Sequence, residues 1–325
     1  MNPTPSLETQ PTEISVTTPV GQAIDRVKLV LFQPFDLGKW FVIGFAAWLA
    51  HLGEQGWGGG GNFGGSSGGG GGDDLQRVWE EVRDYVMSNL SWIVPLAASL
   101  VVLGLILWVV FTWLSSRGRF LFLHCVALNR AEIRVPWEKF AGPGNSLCWF
   151  RLGLGLIATL VSLPLLALLI IPVIKMVQRG EATLGGILLA AGAFLAFLVA
   201  GLVFALIGKL TKDFVVPIMF LRGGKCLAAW RELRGLLRAR PGSFVLYILM
   251  YIVLSMGIAM LLFAVVLVTC CIAGCFLAIP YIGTVLLLPV LMFQRAYALH
   301  FLAQFGRDYN VFPPDPAPAS LPTAG

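Results

Sequence analysis

Charge is scarce in this chain. Of its 325 residues, 12% are Asp, Glu, Lys or Arg, about half the ~25% of an ordinary soluble domain. The apolar fraction is 57%. One soluble core has no room for that much apolar side chain, so lipid must solvate much of it. Histidine is nearly missing: only His51, His124 and His300 occur. There is no His-Glu-x-x-His stretch and no Cys-x-x-Cys pair, so zinc chemistry has no motif to stand on. Gly-x-Ser-x-Gly is matched only around Ser66 and Ser67, inside a Gly/Ser tract. A nucleophile elbow needs a strand before it and a helix after it, and neither is expected there. Asn, Gln, Asp and Glu are almost absent from the centres of the apolar runs, which argues against a proton or sodium relay. No metal, no cofactor and no enzymatic activity are therefore expected. Residues 1–20 are rich in Thr and Pro and show no apolar core after a basic stretch, so no cleaved signal peptide is expected and the first span serves as a signal-anchor.

What the chain has in quantity is apolar runs. A spanning helix needs about 20 apolar residues. Six runs approach or pass that length: Trp40–Leu52, Trp92–Leu114, Leu147–Ile174, Thr183–Gly208, Phe244–Val268 and Ile272–Phe293. The first is short. The runs are continuous rather than alternating, which indicates helices and not a barrel. The expected fold class is all-α, a polytopic transmembrane helical bundle of about six spans. Nineteen of the 23 Lys and Arg fall on the side shared by the N-terminus, the loops after spans two and four, and the C-terminal tail. Only Arg77, Arg83, Lys175 and Arg179 fall on the other. The positive-inside rule then places the chain in the cell (inner) membrane with both termini cytoplasmic. On this map His51 lies across the membrane from His124 and His300. Spans three and six contain Pro164, Pro172, Pro280 and Pro289. Such prolines break helices at transporter sites and are also common in spans generally. Span four carries Gly192, Ala196 and Ala200, a small-residue stripe suited to close helix packing.

The expected layout is a disordered tail over 1–20, a membrane domain over 21–306, and a Pro-rich disordered tail over 307–325. Within the membrane domain, 56–72 is a Gly-rich outer loop, a flexible tether. It leads into an outer amphipathic helix over 73–90, with Leu75, Val78, Trp79, Val82, Val86 and Leu90 at helical spacing.

A three-fold pattern runs through the chain. Each odd-numbered span is preceded by an amphipathic segment and a proline turn. These are AIDRVKLVLFQPFDLGKW with Pro34, RVPWEKFAGPGNSLCWF with Pro143-Gly144, and LAAWRELRGLLRARPGSF with Pro241-Gly242. Proline lacks the N–H and glycine tolerates positive φ, so Pro-Gly breaks a helix. The even spans end alike, in RFLFLHCVALNR from Arg119, DFVVPIMFLRGG from Asp213 and RAYALHFLAQFG from Arg295. The pattern reads as three pseudo-repeated hairpins, each with an interfacial helix.

LFQPFDLGKW before span one, the Gly-rich outer loop and the repeated Pro-turn hairpins resemble an uncharacterised prokaryotic family of six-span membrane proteins. That family is similar in layout to the membrane domain attached to glycerophosphodiester phosphodiesterases. The resemblance covers residues 21 to about 306. The phosphodiesterase catalytic domain is absent, so no hydrolase activity is implied.

Two groups of residues are candidates for function. A charge at membrane depth costs about 2.5–3.5 kcal/mol on insertion scales and usually finds a partner. Asp213 between Arg119 and Arg295, with His124 and His300 nearby, fits a buried cluster, either a structural latch or an anion-binding floor. The competing reading has these residues at the interface, snorkelling to water. The second group is Trp137, Trp230, Arg231, Arg234, Arg238 and Arg240, expected to contact anionic lipid at about 1 kcal/mol per basic residue. Plain topology signalling by the same arginines is compatible with that. Cys125, Cys148 and Cys226 are expected as reduced thiols. Cys270, Cys271 and Cys275 in VTCCIAGC form a disulfide or pack as small apolar residues. The net charge of +6 sits beside apolar runs, which favours anionic head groups over nucleic acid as partner.

Two functions follow. One is a non-enzymatic scaffold, regulator or accessory subunit whose basic helices touch lipid or a partner protein. The other is a transporter or channel for a lipid or other amphiphile along the pseudo-three-fold axis. Orientation is directly testable. A cysteine placed at Ser67 is expected to react with an impermeant reagent from outside, and one at Ser320 only after permeabilisation. Reaction of both from the same side would overturn the map.

Overall fold

The computed structural model describes residues 14–52, 81, 84–85, 87–179, 183–269 and 272–312. The Gly-rich loop, residues 73–80, 82, 83 and 86 of the 73–90 segment, Cys270 and Cys271 lie outside these residues. Every regular element among the described residues is helical.

Helix α1 (Thr18–Val27) runs through a π turn into Phe32. Helix α2 (Leu37–His51) starts where the Asp36 carboxylate accepts the Gly38 N–H at 2.8 Å, an N-cap that satisfies an orphan donor. Helix α3 (Leu90–Leu128) has 39 residues, about 58 Å at 1.5 Å per residue. It ends at Asn129 with φ 57°, a left-handed cap that asparagine tolerates. Short α4 (Arg134–Lys139) leads into α5 (Ala141–Arg179). Helix α6 (Leu184–Leu210) continues through a π turn, Thr211–Val215, into α7 (Val216–Arg222). Gly223 closes α7 at φ 64°, its N–H bonded to the Met219 carbonyl at 2.8 Å. Then come α8 (Cys226–Ala239), α9 (Pro241–Val268), α10 (Ile272–Ala278), α11 (Pro280–Leu286) and α12 (Leu288–Ala303).

Among the described residues, four helices are long and apolar enough to cross a membrane: Leu90–Leu128, Ala141–Met176, Leu184–Arg222 and Pro241–Val268. A fifth is reached if α11 and α12, bent by 62°, count as one broken span. The chain thus fits a multi-pass membrane protein, but six spans are not reproduced. The first expected span, α2, has 15 residues, about 22 Å, against a hydrocarbon core of about 30 Å. Its Ile43, Ala46, Ala47 and Leu49 are buried against protein. The last apolar run divides at Ile279, which precedes Pro280 and is extended, as a residue before proline prefers, and again at Leu287, two residues before Pro289. Pro164 and Pro172 by contrast sit inside an unbroken α5.

The core gathers at one end. It is made by α1, α2, the C-terminal third of α3, the π turn with α7, the first turns of α8 and α9, and α12. The most apolar stretches of α3, α5 and α9 contribute no buried residue, and that of α6 almost none. They project from the core as apolar arms, with Leu202 and Met260 each 70% exposed.

Three short helices do precede long or medium ones, but the turns differ from expectation. The second break comes at Phe140, and Pro143-Gly144 lies inside the first turns of α5. Pro241 opens α9, where its missing N–H costs nothing. The structure leaves the three-fold repeat unconfirmed. Residues 14–20 and 307–312 of the expected tails are among the described residues. The Ser15 N–H donates to Gln304 Oε1 at 2.8 Å and the Gln304 amide donates to the Ser15 carbonyl at 2.9 Å. Phe312 stacks on His300. Helix packing is tight at Gly118, not along the Gly192 stripe. A Cβ on Gly118 would lie 2.6 Å from the Leu49 carbonyl carbon and 2.7 Å from the Ala50 nitrogen, whereas one on Gly192 would meet nothing. Gly118→Ala is expected to cost about 1–3 kcal/mol through backbone displacement, read as a lower melting point in detergent. Gly201→Ala, which meets open space, is the matched control and should hold or raise it; equal melting of the two would refute the α2–α3 contact.

Candidate functional site

Where the arms leave the core, polar residues collect. The π turn after α6 rotates Asp213 inward, to 4% exposure; π turns often mark functional positions. Lys209, one turn earlier, approaches Asp213 Oδ2 at 2.6 Å, and the Tyr247 hydroxyl of α9 donates to the same oxygen at 2.9 Å. The Lys209 ammonium also sits 3.0 Å from the centre of the Tyr251 ring, a cation–π contact. Arg295 of α12 donates to the Lys212 carbonyl. Arg119, Asp213 and Arg295 all line one small cavity of about 30 Å³, with His51, Lys209, Lys212 and Tyr251. Exposures of 7% for Arg119 and 6% for Arg295 place these charges inside the protein, not reaching for water.

The two histidines expected beside the cluster are elsewhere. His124 packs on Phe220 at 6.4 Å, and His300 stacks on Phe312 at 4.2 Å. The histidine that joins the cluster is His51, which sequence reasoning placed across the membrane. Its Nε2 lies 3.0 Å from Lys212 Nζ and its Nδ1 lies 2.8 Å from the Ala47 carbonyl. With Nδ1–H donating to that carbonyl, Nε2 accepts from the lysine. The reason for the correction is α2 itself: it runs antiparallel to the C-terminal part of α3 and stops at Ser115, whose hydroxyl donates to the Ala50 carbonyl at 2.8 Å.

Two more arginines hold this end together. Arg26 donates to the Val126 carbonyl at 3.0 Å and also to that of Ala127, serving the orphan carbonyls at the end of α3. Arg151 of α5 reaches the Ser115 and Ser116 hydroxyls at 3.1 and 3.2 Å. No group of three His, Cys, Asp or Glu among the described residues is arranged to hold a metal.

The surface candidates divide. Arg231, Arg234, Arg238 and Arg240 are exposed along α8 and its end. The aromatic pair faces inward: Trp230 packs on Phe150 at 6.0 Å, and Trp137 lies edge-on to Trp113 at 6.1 Å with the Arg117 guanidinium 5.1 Å above its ring. The apolar side of α8, Cys226, Ala229 and Leu233, is spent on the protein core. Burial pushes the Cys226 thiol up to about 12, so it stays protonated. Cys125, Cys148, Cys226 and Cys275 are free thiols.

A model described as a family of unknown function (DUF7544) matches residues 14–288. The chain belongs to that family. The matched stretch includes Arg119, Arg151, Lys209, Lys212, Asp213 and Tyr247, and ends before Arg295. No curated protein and no solved structure matches the chain. No link to the phosphodiesterase membrane domain is shown.

Lys209 and Tyr247 were missed in the sequence. Lys209 stands four residues before Asp213, a spacing that is legible on a helix. Tyr247 is brought in from another helix and carries no sequence signal. Asp213→Asn should lower the detergent melting point by at most the ~3–5 kcal/mol of a broken buried pair, since 24% of the Lys209 side chain remains exposed. Adding Lys209→Met should recover part of the loss. A double variant no more stable than Asp213→Asn alone removes Lys209 as the partner that matters.

Proposed function

We propose that this chain is a non-enzymatic membrane protein, a scaffold, regulator or accessory subunit. Its basic end engages anionic lipid head groups of the cytoplasmic leaflet or an acidic surface of a partner protein. Helix α8 carries the reading. Its buried face, Ala229 and Leu233, fastens it to the core, so its exposed arginines are held and not free to drift. Arg240 adjoins Pro241, the first residue of a helix long enough to cross a membrane. The row therefore directly precedes a potential span, and near an anionic leaflet each basic residue contributes about 1 kcal/mol of attraction. The proposal assigns the chain to the cell membrane with both termini cytoplasmic, and assigns no role to nucleic acid.

A transporter or channel for an amphiphile is the second reading. One observation favours it: the 62° break between α11 and α12 is the kind of discontinuity that transporters place at binding sites.

The test is lipid co-purification in polymer-bounded nanodiscs. The variant with Arg231, Arg234, Arg238 and Arg240 all changed to Gln should lose most of the enrichment of phosphatidylglycerol over phosphatidylethanolamine that the parent shows. The parent's enrichment should also shrink with added salt. Enrichment that is indifferent to both changes would count against lipid contact through α8.

A further inference from the structure

A cleft of about 460 Å³ opens between α3, α5 and α6, and shares Arg119, Lys209 and Lys212 with the small cavity beside Asp213. Its floor carries Arg119, Arg151, Lys209 and Lys212, and no carboxylate is among its lining residues. Lys209 also pairs with Asp213, which lies outside the lining. Four basic side chains at the edge of an apolar layer suit an anionic group.

The walls are of opposite character. Trp108, Leu154 and Phe204 line the same cleft. On α3, Trp108 lies 11 residues before Arg119 and on α6 Phe204 lies five before Lys209, while on antiparallel α5 Leu154 and Ala158 follow Arg151. Along all three helices the apolar lining is therefore displaced from the cations in one direction, toward the exposed arms. The Trp108 ring packs against Gly155, where a Cβ would sit 3.0 Å from it, so the wall is a fitted surface. The floor is held in place too, since Arg151 is bonded to the Ser115 and Ser116 hydroxyls.

We propose that this cleft binds one anionic phospholipid. Its phosphate lies on Arg119, Arg151 and Lys212, and an acyl chain runs along Trp108, Leu154 and Phe204. Guanidinium groups suit phosphate oxygens because their N–H donors match them in pairs. Free phosphate shares that head-group chemistry, but the apolar wall gives it nothing, which is why the lipid is the assigned occupant. The inference goes beyond contact of α8 with the bulk leaflet and needs only that the chain sits in a bilayer.

Native mass spectrometry of the detergent-solubilised protein tests it, with dioleoyl phosphatidylglycerol, dioleoyl phosphatidylcholine and inorganic phosphate as probes. One phosphatidylglycerol per chain should persist under activation that strips phosphatidylcholine, and excess inorganic phosphate should not displace it. Arg151→Gln and Lys212→Gln should each weaken it about fivefold, the ratio expected for one basic contact. The α8 quadruple Gln variant should leave it unchanged, so the two lipid readings fail separately. Equal retention of phosphatidylcholine overturns the proposal, and so does loss of the lipid in the α8 variant with the cleft variants at parental strength. Displacement by inorganic phosphate reassigns the floor to a free anion and likewise overturns it. Should the cleft variants misfold, a phosphatidylglycerol with a photoreactive acyl chain decides on the unaltered protein. Adducts on the peptides of Trp108, Leu154 or Phe204 support the site, and adducts confined to other helices refute it.

Discussion

Everything in this architecture follows from one constraint: the described residues leave the apolar arms uncovered. Nearly all of the most hydrophobic stretches of α3, α5, α6 and α9 are exposed, so their burial must come from lipid, and the protein's own core has to form elsewhere. It forms at one end, from short helices and from the continuations of the arms. A helix that passes from lipid into a polar or protein environment places its first charges at the crossing. Arg117 and Arg119 on α3, Arg151 on α5, and Lys209 and Lys212 on or just after α6 are those residues. The basic cluster is thus set by where the arms end.

Gathered charge has to be balanced locally. Asp213 supplies the negative charge, and Tyr247 fixes its orientation through a hydrogen bond. Tyr247 is itself locked by ring contacts to Phe214 at 4.9 Å, Phe301 at 4.6 Å and Tyr297 at 5.3 Å. The carbonyl of Lys212 and the serine hydroxyls of α3 take up guanidinium donors. Polar network and aromatic core are therefore one unit: the rings exclude water, and in a drier setting each hydrogen bond to Asp213 is stronger.

The helical class and the long arms were legible because continuous apolar runs report directly on lipid burial. The meeting of Arg119, Asp213 and Arg295 was legible because each stands at the same relative place, at the end of an even-numbered run. The length of α2 was not. Its apolar composition, FVIGFAAWLA, suits a span and a protein core equally well, and what separates the two is its packing on Gly118, visible only in three dimensions. That same ambiguity misplaced His51. His124 and His300 were misjudged because a helical offset of five residues turns a side chain well away from the one it follows, toward Phe220 in one case and Phe312 in the other.

Helix α3 is continuous from its exposed arm to its buried end, and it meets α2 closely at Gly118. A rod clamped there behaves as a lever with unequal limbs: 28 residues on the arm side, about 42 Å, and ten on the core side, about 15 Å. A bilayer that changes thickness re-tilts the long limb. A tilt of about 5° sweeps its tip through nearly 4 Å and moves the Asn129 end, held by Arg26 and Lys39, through little more than 1 Å. The geometry steps membrane deformation down into small motion at the packed end, with Arg119 one residue from the pivot.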